Sequence, residues 1–412
     1  MAHSGGHPSY YADAVYAFLV ATVVAALATP FAARVARRIG AISLPSNRGL
    51  SQKPMPALGG LAILLGVLVA GVIWLPWTIV LPHEAHGRPG PAGTVHTWAL
   101  LVGAGLIAVT GAVDDARGLK PAAKLLGQIL AAVIAVEGGA VITDITLPFI
   151  GPLQFPHFGG VLMVIWLVAL MNIVNFSDGV DGLAAGVCTI DGIAFAIIAF
   201  DLQGSGSAAA VLGALTAGGA LGFLFHNFPP AKIFMGDIGA NLLGYLLGIA
   251  AIVGSLKTNA VLALVVPLMI LAVPFLDTSF VVAKRLKYRR KIWEADAEHF
   301  HHRMTRIGFS QRRTIAYLYA WSALMAGCAV ALRLITHSYW HQIGWRIGLF
   351  VLIGGALLAS LYFVYTLEIL KFRSLRIRQL RREEPETGEH DIVVRVERDI
   401  ETGEFDRVSR ST

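Results

Sequence analysis

The chain has 412 residues, of which 56% are hydrophobic and only 14% are charged. Soluble domains usually carry about 25% charged residues, so this composition and a mean hydropathy of +0.66 exclude a soluble protein and indicate a polytopic membrane protein. The net charge of +7 is typical of positive cytoplasmic loops, and we expect no nucleic-acid partner. Cys188 and Cys328 lie in apolar stretches, which argues against a disulfide framework.

Apolar runs of about 17–25 residues recur along the chain and are long enough to cross a bilayer as helices. The first is too long for a signal-peptide core and no small-residue cleavage site follows it, so we expect a retained span. The sequence predicts an all-α integral membrane fold, a polytopic bundle of about eleven transmembrane helices. The predicted spans are approximately 12–35, 58–80, 97–113, 123–142, 159–175, 183–201, 208–226, 238–255, 259–283, 314–334 and 345–370.

The distribution of Lys and Arg predicts the orientation of the spans. The loops after odd-numbered spans are rich in cations, and those after even-numbered spans hold few, namely Arg88, Lys257, Arg333 and Arg346. The N-terminus is therefore expected outside and the C-terminus in the cytoplasm. We divide the chain into a transmembrane domain at 1–370 and a charged tail at 371–412. The tail is expected to be solvated and partly disordered, although its basic start could lie along anionic lipid.

Acidic residues cluster where predicted spans end on the cytoplasmic side. Asp114 and Asp115 end the third span, Asp178 and Asp181 end the fifth, and Asp237 follows the seventh. Ionisable residues near membrane depth are costly and are functional candidates. Other acids, Asp144, Asp191 and Asp201, lie elsewhere, so the clustering is strong but not total.

Each acidic motif also has a simpler interpretation. Asp114 and Asp115 could only mark the water interface, and the sequence from Asp178 to Gly182 could be a turn, which Asp and Gly favour. Two amides, Asn172 and Asn175, precede that turn in an otherwise apolar span, where they need partners. Two Asn and two Asp at one helix end favour an oxygen-ligand site for Mg²⁺, with Mn²⁺ as the alternative cation.

A later predicted cytoplasmic loop adds a basic segment that contains His299, His301, His302 and Arg303. A histidine cluster alone suggests zinc, but no cysteine lies nearby, and the adjacent Arg fits recognition of phosphate better. Further cations on the same face are Lys53, Lys124 and Lys232. Acids that hold a metal together with a ring of cations are typical of phosphoryl transfer.

These motifs resemble the polyprenyl-phosphate N-acetylhexosamine-1-phosphate transferases of glycosyltransferase family 4. Five motifs occur in the family's order between about residues 43 and 310, and the tail after about Leu370 is not covered. They are Pro54–Gly60, Asp114–Leu119 with Lys124 downstream, Asn172–Ala184, Asn227–Gly239 and His299–Arg303. Many relatives carry a His where this chain has Ser51, which leaves the role of the first loop open.

The resemblance implies a role for each candidate residue. Asp237 matches the main metal ligand and Asn175 a second ligand, while Asp114, Asp115 and Lys124 match positions near the lipid phosphate. Other candidates match positions on the nucleotide-sugar side of the site. These are Asp178, with Asp181 near the nucleotide, Phe234 stacked on uracil, and His301, His302 and Arg303 at the diphosphate. Lys53, a cation on the same face, and His299, in the same loop as Arg303, are further candidates for substrate binding.

The resemblance further implies an enzyme of the plasma membrane whose active site faces the cytoplasm. It would transfer GlcNAc-1-phosphate from UDP-GlcNAc to undecaprenyl or decaprenyl phosphate within the membrane lipid, either directly or through a covalent aspartyl intermediate. The alternative within the family is phospho-MurNAc-pentapeptide transfer. Outside the family, a transporter would place its acids near the midplane of the bilayer, and a scaffold would lack activity. The oligomeric state stays open, with a homodimer as one option.

Overall fold

The computed structural model describes residues 7–43, 54–81, 93–142, 144–147, 151–155, 157–200, 206–255, 310–339 and 388–402, with a few isolated positions between these ranges. Within these residues the chain is mainly α-helical, as the apolar runs predict.

The described residues form ten helices. Seven of them are long and apolar enough to cross a membrane, whereas the second and fourth, with 15 and 17 residues, are shorter than the roughly 20 residues of a usual span. The helices are α1 (His7–Ile39), α2 (Gly60–Trp74), α3 (Thr97–Arg117), α4 (Pro121–Glu137), α5 (Gly159–Ser177), α6 (Leu183–Phe200), α7 (Gly206–Asn227), α8 (Gly236–Ser255), α9 (Gln311–Tyr339) and α10 (Glu389–Thr402).

Helices α1 to α9 correspond to nine of the predicted spans. The second helix is shorter than predicted because the chain turns into a strand at Thr78. The predicted span at 259–283 and most of the one at 345–370 lie outside the described residues, so the total of eleven and the sides of the two termini stay predictions. Helix α10 lies within the predicted polar tail, where Ile392 and Val396 are buried with Leu380.

Short antiparallel strand pairs interrupt the helical pattern and were not predicted. They are β1 (Ile42–Ser43) with β2 (Met55–Pro56), β3 (Thr78–Leu81) with β6 (Gly93–His96), β4 (Glu84–Ala85) with β5 (Arg88–Pro89), and β7 (Asp144–Leu147) with β8 (Gly151–Gln154). Each strand is too short to show the alternation of apolar and polar residues that identifies a strand in a sequence.

Small residues allow α1 and α7 to pack closely along their length. Ala21 and Ala25 of α1 are fully buried, and Gly218 and Gly222 of α7 lie against the α1 backbone. An added Cβ at Gly222 would come within 2.2 Å of the Thr22 carbonyl oxygen. Such contacts replace the hydrophobic driving force that is missing between helices in lipid.

Helix α8 is the centre of the bundle and packs against α2, α3, α5, α6 and α7. Its first turn lies directly on two glycines of neighbouring helices. A Cβ on Gly60 would come within 2.1 Å of the Gly239 nitrogen, and one on Gly111 within 2.6 Å of the Ile238 nitrogen. The start of α8 is therefore held between the start of α2 and the end of α3.

Replacement of Gly111 by Ala tests this close approach. We expect Gly111→Ala to lower the unfolding free energy by about 1–3 kcal/mol, because the new methyl group meets backbone that cannot rotate away. The measurement is thermal unfolding of the detergent-solubilised protein. Gly105→Ala in the same helix is the matched control, since its Cβ would meet nothing within 4 Å. Equal changes in the two variants would contradict the close packing.

Candidate active site

The ends of four helices meet at one end of the bundle, and each contributes a predicted site residue. Helix α3 ends with Asp114 and Asp115, α4 begins near Lys124, α5 ends with Asn175, and α8 begins with Asp237. Since these residues are as much as 123 positions apart in the sequence (237 − 114), only the packing of the helices can bring them together.

Asp237 is the centre of this group. It lies in the first turn of α8, where the helix dipole favours a negative charge. Its carboxylate accepts a hydrogen bond from the Asn175 amide at 2.8 Å and forms an ion pair with the Lys124 ammonium. The side chain is 22% exposed, so a polar ligand can reach it.

Gly236 sets the direction in which α8 begins. Its φ is +68°, a conformation that residues with a Cβ rarely adopt. An added Cβ would also come within 2.1 Å of the Ala57 carbonyl oxygen and 2.3 Å of an Asp115 carboxylate oxygen. Glycine therefore permits the turn and leaves room for the neighbouring carboxylate.

The two adjacent aspartates of α3 make different contacts. Asp115 Oδ1 accepts the Asp237 backbone N–H at 3.0 Å, so the side chain caps the first turn of another helix, whose N–H groups have no partner within it. Asp115 Oδ2 is buried without a hydrogen-bond partner. Asp114 Oδ1 accepts the Leu119 N–H at 2.6 Å, and its Oδ2 lies 3.5 Å from Lys124 Nζ.

Asp178 and Asp181 lie in the loop between α5 and α6. Burial raises the pKa of Asp178 well above its ordinary value, and the negative charges of Asp237, Asp115 and Asp181 raise it further. Asp181 Oδ2 accepts the Ala231 N–H at 3.1 Å, which ties this loop to the segment between α7 and α8.

Asn227 makes a second connection between the same two segments. This buried side chain accepts the Gly182 N–H at 2.7 Å and donates to the Ile233 carbonyl at 2.9 Å. The loop that carries Asp178 is thus held on backbone that leads directly into the start of α8.

Phe234 lies in an extended segment before α8 that pairs with the motif at Pro54–Gly60. Its N–H donates to the Pro56 carbonyl at 2.9 Å and its carbonyl accepts the Gly59 N–H at 2.9 Å, while the Gly60 N–H donates to the Met235 carbonyl at 2.8 Å. The motif thus anchors the segment, and the half-buried Phe234 ring lies three residues before Asp237.

Three amide side chains form a hydrogen-bonded layer beneath the acids. Asn172 donates to Gln128 at 2.9 Å, Gln128 donates to Asn241 at 2.7 Å, and Asn241 donates to the Asp237 carbonyl at 2.7 Å. Gln128 and Asn241 were not predicted as site residues, and neither was Asn227. The signal was present, because a buried amide in an apolar span needs a partner.

Five predicted site residues, Lys53, His299, His301, His302 and Arg303, lie outside the described residues. Their roles stay predictions. The other eight, Asp114, Asp115, Lys124, Asn175, Asp178, Asp181, Phe234 and Asp237, are distributed over this end of the bundle and the two loops joined to it.

The charges and ligand atoms of the cluster suit a hard cation. The carboxylates of Asp114 and Asp237 lie beside the Lys124 ammonium, and the Asp115 carboxylate bonds to the Asp237 backbone N–H. Among the described residues no three His, Cys, Asp or Glu side chains form a complete metal cage. Mg²⁺ is commonly held by one or two carboxylates with water and substrate phosphates, so the residues fit such a partly open site.

Comparison with known proteins decides the family. The model of glycosyl transferase family 4 matches residues 97–255, which include α3 to α8. The probable undecaprenyl-phosphate N-acetylglucosaminyl 1-phosphate transferase of Bacillus subtilis is 35% identical over 328 residues, covering 78% of this chain and 86% of that protein. The chain belongs to glycosyl transferase family 4. The predicted resemblance is therefore confirmed.

Other members of glycosyl transferase family 4 show the range of the similarity. The decaprenyl-phosphate N-acetylglucosaminephosphotransferase of Mycolicibacterium smegmatis is 34% identical over 75% of this chain and 79% of its own length. The phospho-N-acetylmuramoyl-pentapeptide-transferase of Desulforamulus reducens is also 34% identical, over 66% of this chain and 80% of its own length. The D. reducens protein thus matches a smaller share of this chain than the M. smegmatis protein does.

Removal of the Asn227 amide tests the connection between the two loops. We expect Asn227→Ala to lower the unfolding free energy by about 1–3 kcal/mol, because two buried backbone groups lose their partner. Thermal unfolding in detergent measures the change. Thr216→Ala is the control, since the buried Thr216 hydroxyl bonds, within the described part of the chain, to the Leu212 carbonyl of its own helix. A loss no larger than that of the control would contradict the proposed connection.

Proposed function

We propose that this chain transfers GlcNAc-1-phosphate from UDP-GlcNAc to undecaprenyl or decaprenyl phosphate, giving polyprenyl-diphospho-GlcNAc and UMP. The observation that carries the proposal is the Asp237 centre, where a carboxylate at a helix start contacts Lys124 and Asn175. The names of the B. subtilis and M. smegmatis relatives give a polyprenyl-phosphate acceptor and an N-acetylglucosamine phosphate group, which supports the choice of sugar and acceptor.

The reaction joins two anions, and their repulsion is the main barrier to bringing them together. An oxygen of the lipid phosphate forms a bond to the β-phosphorus of UDP-GlcNAc. The bond from that phosphorus to the bridging oxygen breaks, and UMP leaves with the electron pair. The protein's contribution is to position the two phosphates and to offset their charge.

The residues of the cluster suit these tasks. Lys124 supplies a positive charge between Asp114 and Asp237, and it is proposed to bind the lipid phosphate. Asp114, with one oxygen on the Leu119 N–H and the other near Lys124, is proposed to accept the remaining proton of the lipid phosphate. Asp115 holds the start of α8 in place through its bond to the Asp237 N–H.

We further propose that the enzyme requires Mg²⁺, for which Mn²⁺ can substitute. Asp237 and Asn175 are the side chains that would hold the ion, with Asp115 Oδ2 as a further oxygen close by. When bound, the ion neutralises the charge that develops on the diphosphate. The partly open set of ligands leaves positions for the phosphate oxygens of the substrate.

The reaction is assigned to the cytoplasmic face of the plasma membrane. The described site residues lie at the end of the bundle where α3 ends and α4 begins, beside the basic residues Arg117 and Lys120. An excess of cations marks the cytoplasmic side of a membrane protein. A site at this interface can receive a soluble nucleotide-sugar and a lipid-dissolved acceptor together.

The second candidate is phospho-MurNAc-pentapeptide transfer, which the D. reducens relative favours. Purified protein in detergent should be given undecaprenyl phosphate, Mg²⁺ and either UDP-GlcNAc or UDP-MurNAc-pentapeptide, with mass spectrometry of the lipid product. If the protein forms a lipid product only with UDP-GlcNAc as the donor, the proposal is supported. If it forms a lipid product only with UDP-MurNAc-pentapeptide, the second candidate replaces the proposal.

The charge of Asp237 is expected to be essential in this assay. Asp237→Asn keeps the shape of the side chain but removes the charge beside Lys124, and turnover should fall by about 10²–10³-fold, the range seen when one electrostatic contact to a transition state is lost. The rate of UMP release measures the effect.

Asp191→Asn is the matched control for Asp237→Asn. Asp191 is fully buried and accepts a hydrogen bond from Ser322 between α6 and α9, outside the cluster. The Asp191→Asn variant should retain an activity within a few-fold of that of the unmodified protein, as is usual for a change remote from the reacting groups. Near-normal turnover of Asp237→Asn would refute the role of this centre.

The two ends of α3 provide a test of orientation. Arg117 is exposed at the end near the acids, and Trp77, exposed at 65%, bonds through its carbonyl to the first residue of α3. We expect a membrane-impermeant thiol reagent to label Trp77→Cys from outside intact cells and Arg117→Cys only in inverted vesicles. Cys188 and Cys328 are buried and would be replaced by Ala. The reverse labelling would contradict the cytoplasmic site.

A further inference from the structure

The amide layer lies one helical turn deeper in the bundle than the Asp237 centre, on the same three helices. Asn241 follows Asp237 by four residues in α8, Gln128 follows Lys124 by four residues in α4, and Asn172 precedes Asn175 by three residues in α5. Since residues three or four apart share a helix face, each amide lies beneath one member of the centre.

The amides form a directed chain of hydrogen bonds. Each side-chain oxygen of Gln128 and Asn241 accepts a bond while the nitrogen of the same amide donates onward, until Asn241 reaches the Asp237 carbonyl. Asn172 also donates to the Val168 carbonyl of its own helix. Hydrogen bonds in such a chain polarise and strengthen one another.

Gln128 is the connecting member of this layer. It is 3% exposed, as is Asn241, and it alone joins α4 to both α5 and α8 through side-chain amides among the described residues. An unpaired amide at this depth costs free energy, so the three helices are favoured in the one register that satisfies all three side chains. Apolar packing alone does not select a register so narrowly.

We propose that Gln128 is a positioning residue, which fixes Lys124 and Asn175 relative to Asp237 through the amide layer. It does not contact the reacting groups itself. The inference rests on the proposed function, because it assigns the layer a role in holding the metal and phosphate site. A displacement of about 1 Å at a reacting centre can cost 10²-fold in rate, so a register that is only slightly looser has a measurable effect.

The test uses Gln128→Met, which keeps the length of the side chain and removes both hydrogen-bonding groups. Three measurements on the full-length protein in detergent are required: Mn²⁺ binding followed by electron paramagnetic resonance without substrate, the kinetics of UMP release, and the melting temperature. We expect Mn²⁺ affinity and kcat each to fall by about 10–100-fold, as for residues that support metal ligands. The KM for UDP-GlcNAc should change little, because the lost contact is not to the substrate.

Trp166→Phe is the matched control. Trp166 of α5 donates to the Gly248 carbonyl of α8 at 3.1 Å, so this variant also removes an interhelical hydrogen bond from α8, about two turns deeper. We expect its melting temperature to fall as in Gln128→Met while Mn²⁺ affinity and kcat stay within about twofold of the unmodified protein, as expected for a change away from the site. Equal losses of Mn²⁺ affinity in the two variants would show that Gln128 has only a general structural role, which would overturn the proposal.

A double variant tests whether the layer acts as a unit. Once Gln128 is lost, Asn241 has no partner on α4, so Gln128→Met combined with Asn241→Leu should lose no more Mn²⁺ affinity than the more affected single variant. Additive losses would show two independent effects and overturn the proposal.

The failure of this inference can be distinguished from failure of the proposed function. Unchanged Mn²⁺ affinity and kcat in Gln128→Met, with Asp237→Asn inactive, overturn the positioning role alone. If the unmodified protein forms no lipid product, the proposed function fails, and Mn²⁺ binding by Gln128→Met then decides the role of the layer by itself.

Discussion

The site depends on the hydrogen bond that Asp115 accepts from the Asp237 backbone N–H. It joins the end of α3 to the start of α8 and places two carboxylates side by side in an apolar bundle. Their repulsion would push the helices apart in isolation. The helix dipole of α8, the ammonium of Lys124 and the amide of Asn175 offset that repulsion. The two carboxylates therefore depend on these groups to lie side by side.

The position of the clustered acids along the helices differs from the position that a transporter would give them. A transporter binds its ions and substrates near the midplane, commonly on broken helices. Here the clustered acids lie at helix ends on one side of the bundle, in contact with a Lys at the start of a further helix. Asp191 lies outside this cluster and accepts a hydrogen bond from Ser322 on α9, which suits a contact between helices.

Close packing and polar contacts play complementary parts in building this end of the molecule. Glycines at positions 60 and 111 let α2 and α3 approach the first turn of α8 to backbone contact, and the strand-like pairing of Phe234 with Pro56 fixes the chain that leads into it. The amides below the acids then favour one register of α4, α5 and α8. The candidate side chains at these helix ends are therefore held in place by several independent contacts.

Local sequence patterns alone determined the helical class, the approximate positions of nine spans and the acids at span ends, because apolar run length and the cost of a charge in lipid are properties of short segments. The shared glycosyl transferase family 4 motifs also identified the family. Only the tertiary structure decided which of these residues touch. Three of these contacts join segments that are more than 40 residues apart in the sequence. They are the cap that Asp115 forms on another helix, the ion pair of Lys124 with Asp237, and the chain of amides through Gln128. No local pattern encodes such contacts, since they depend on the register and approach of helices that the glycines and buried amides set together.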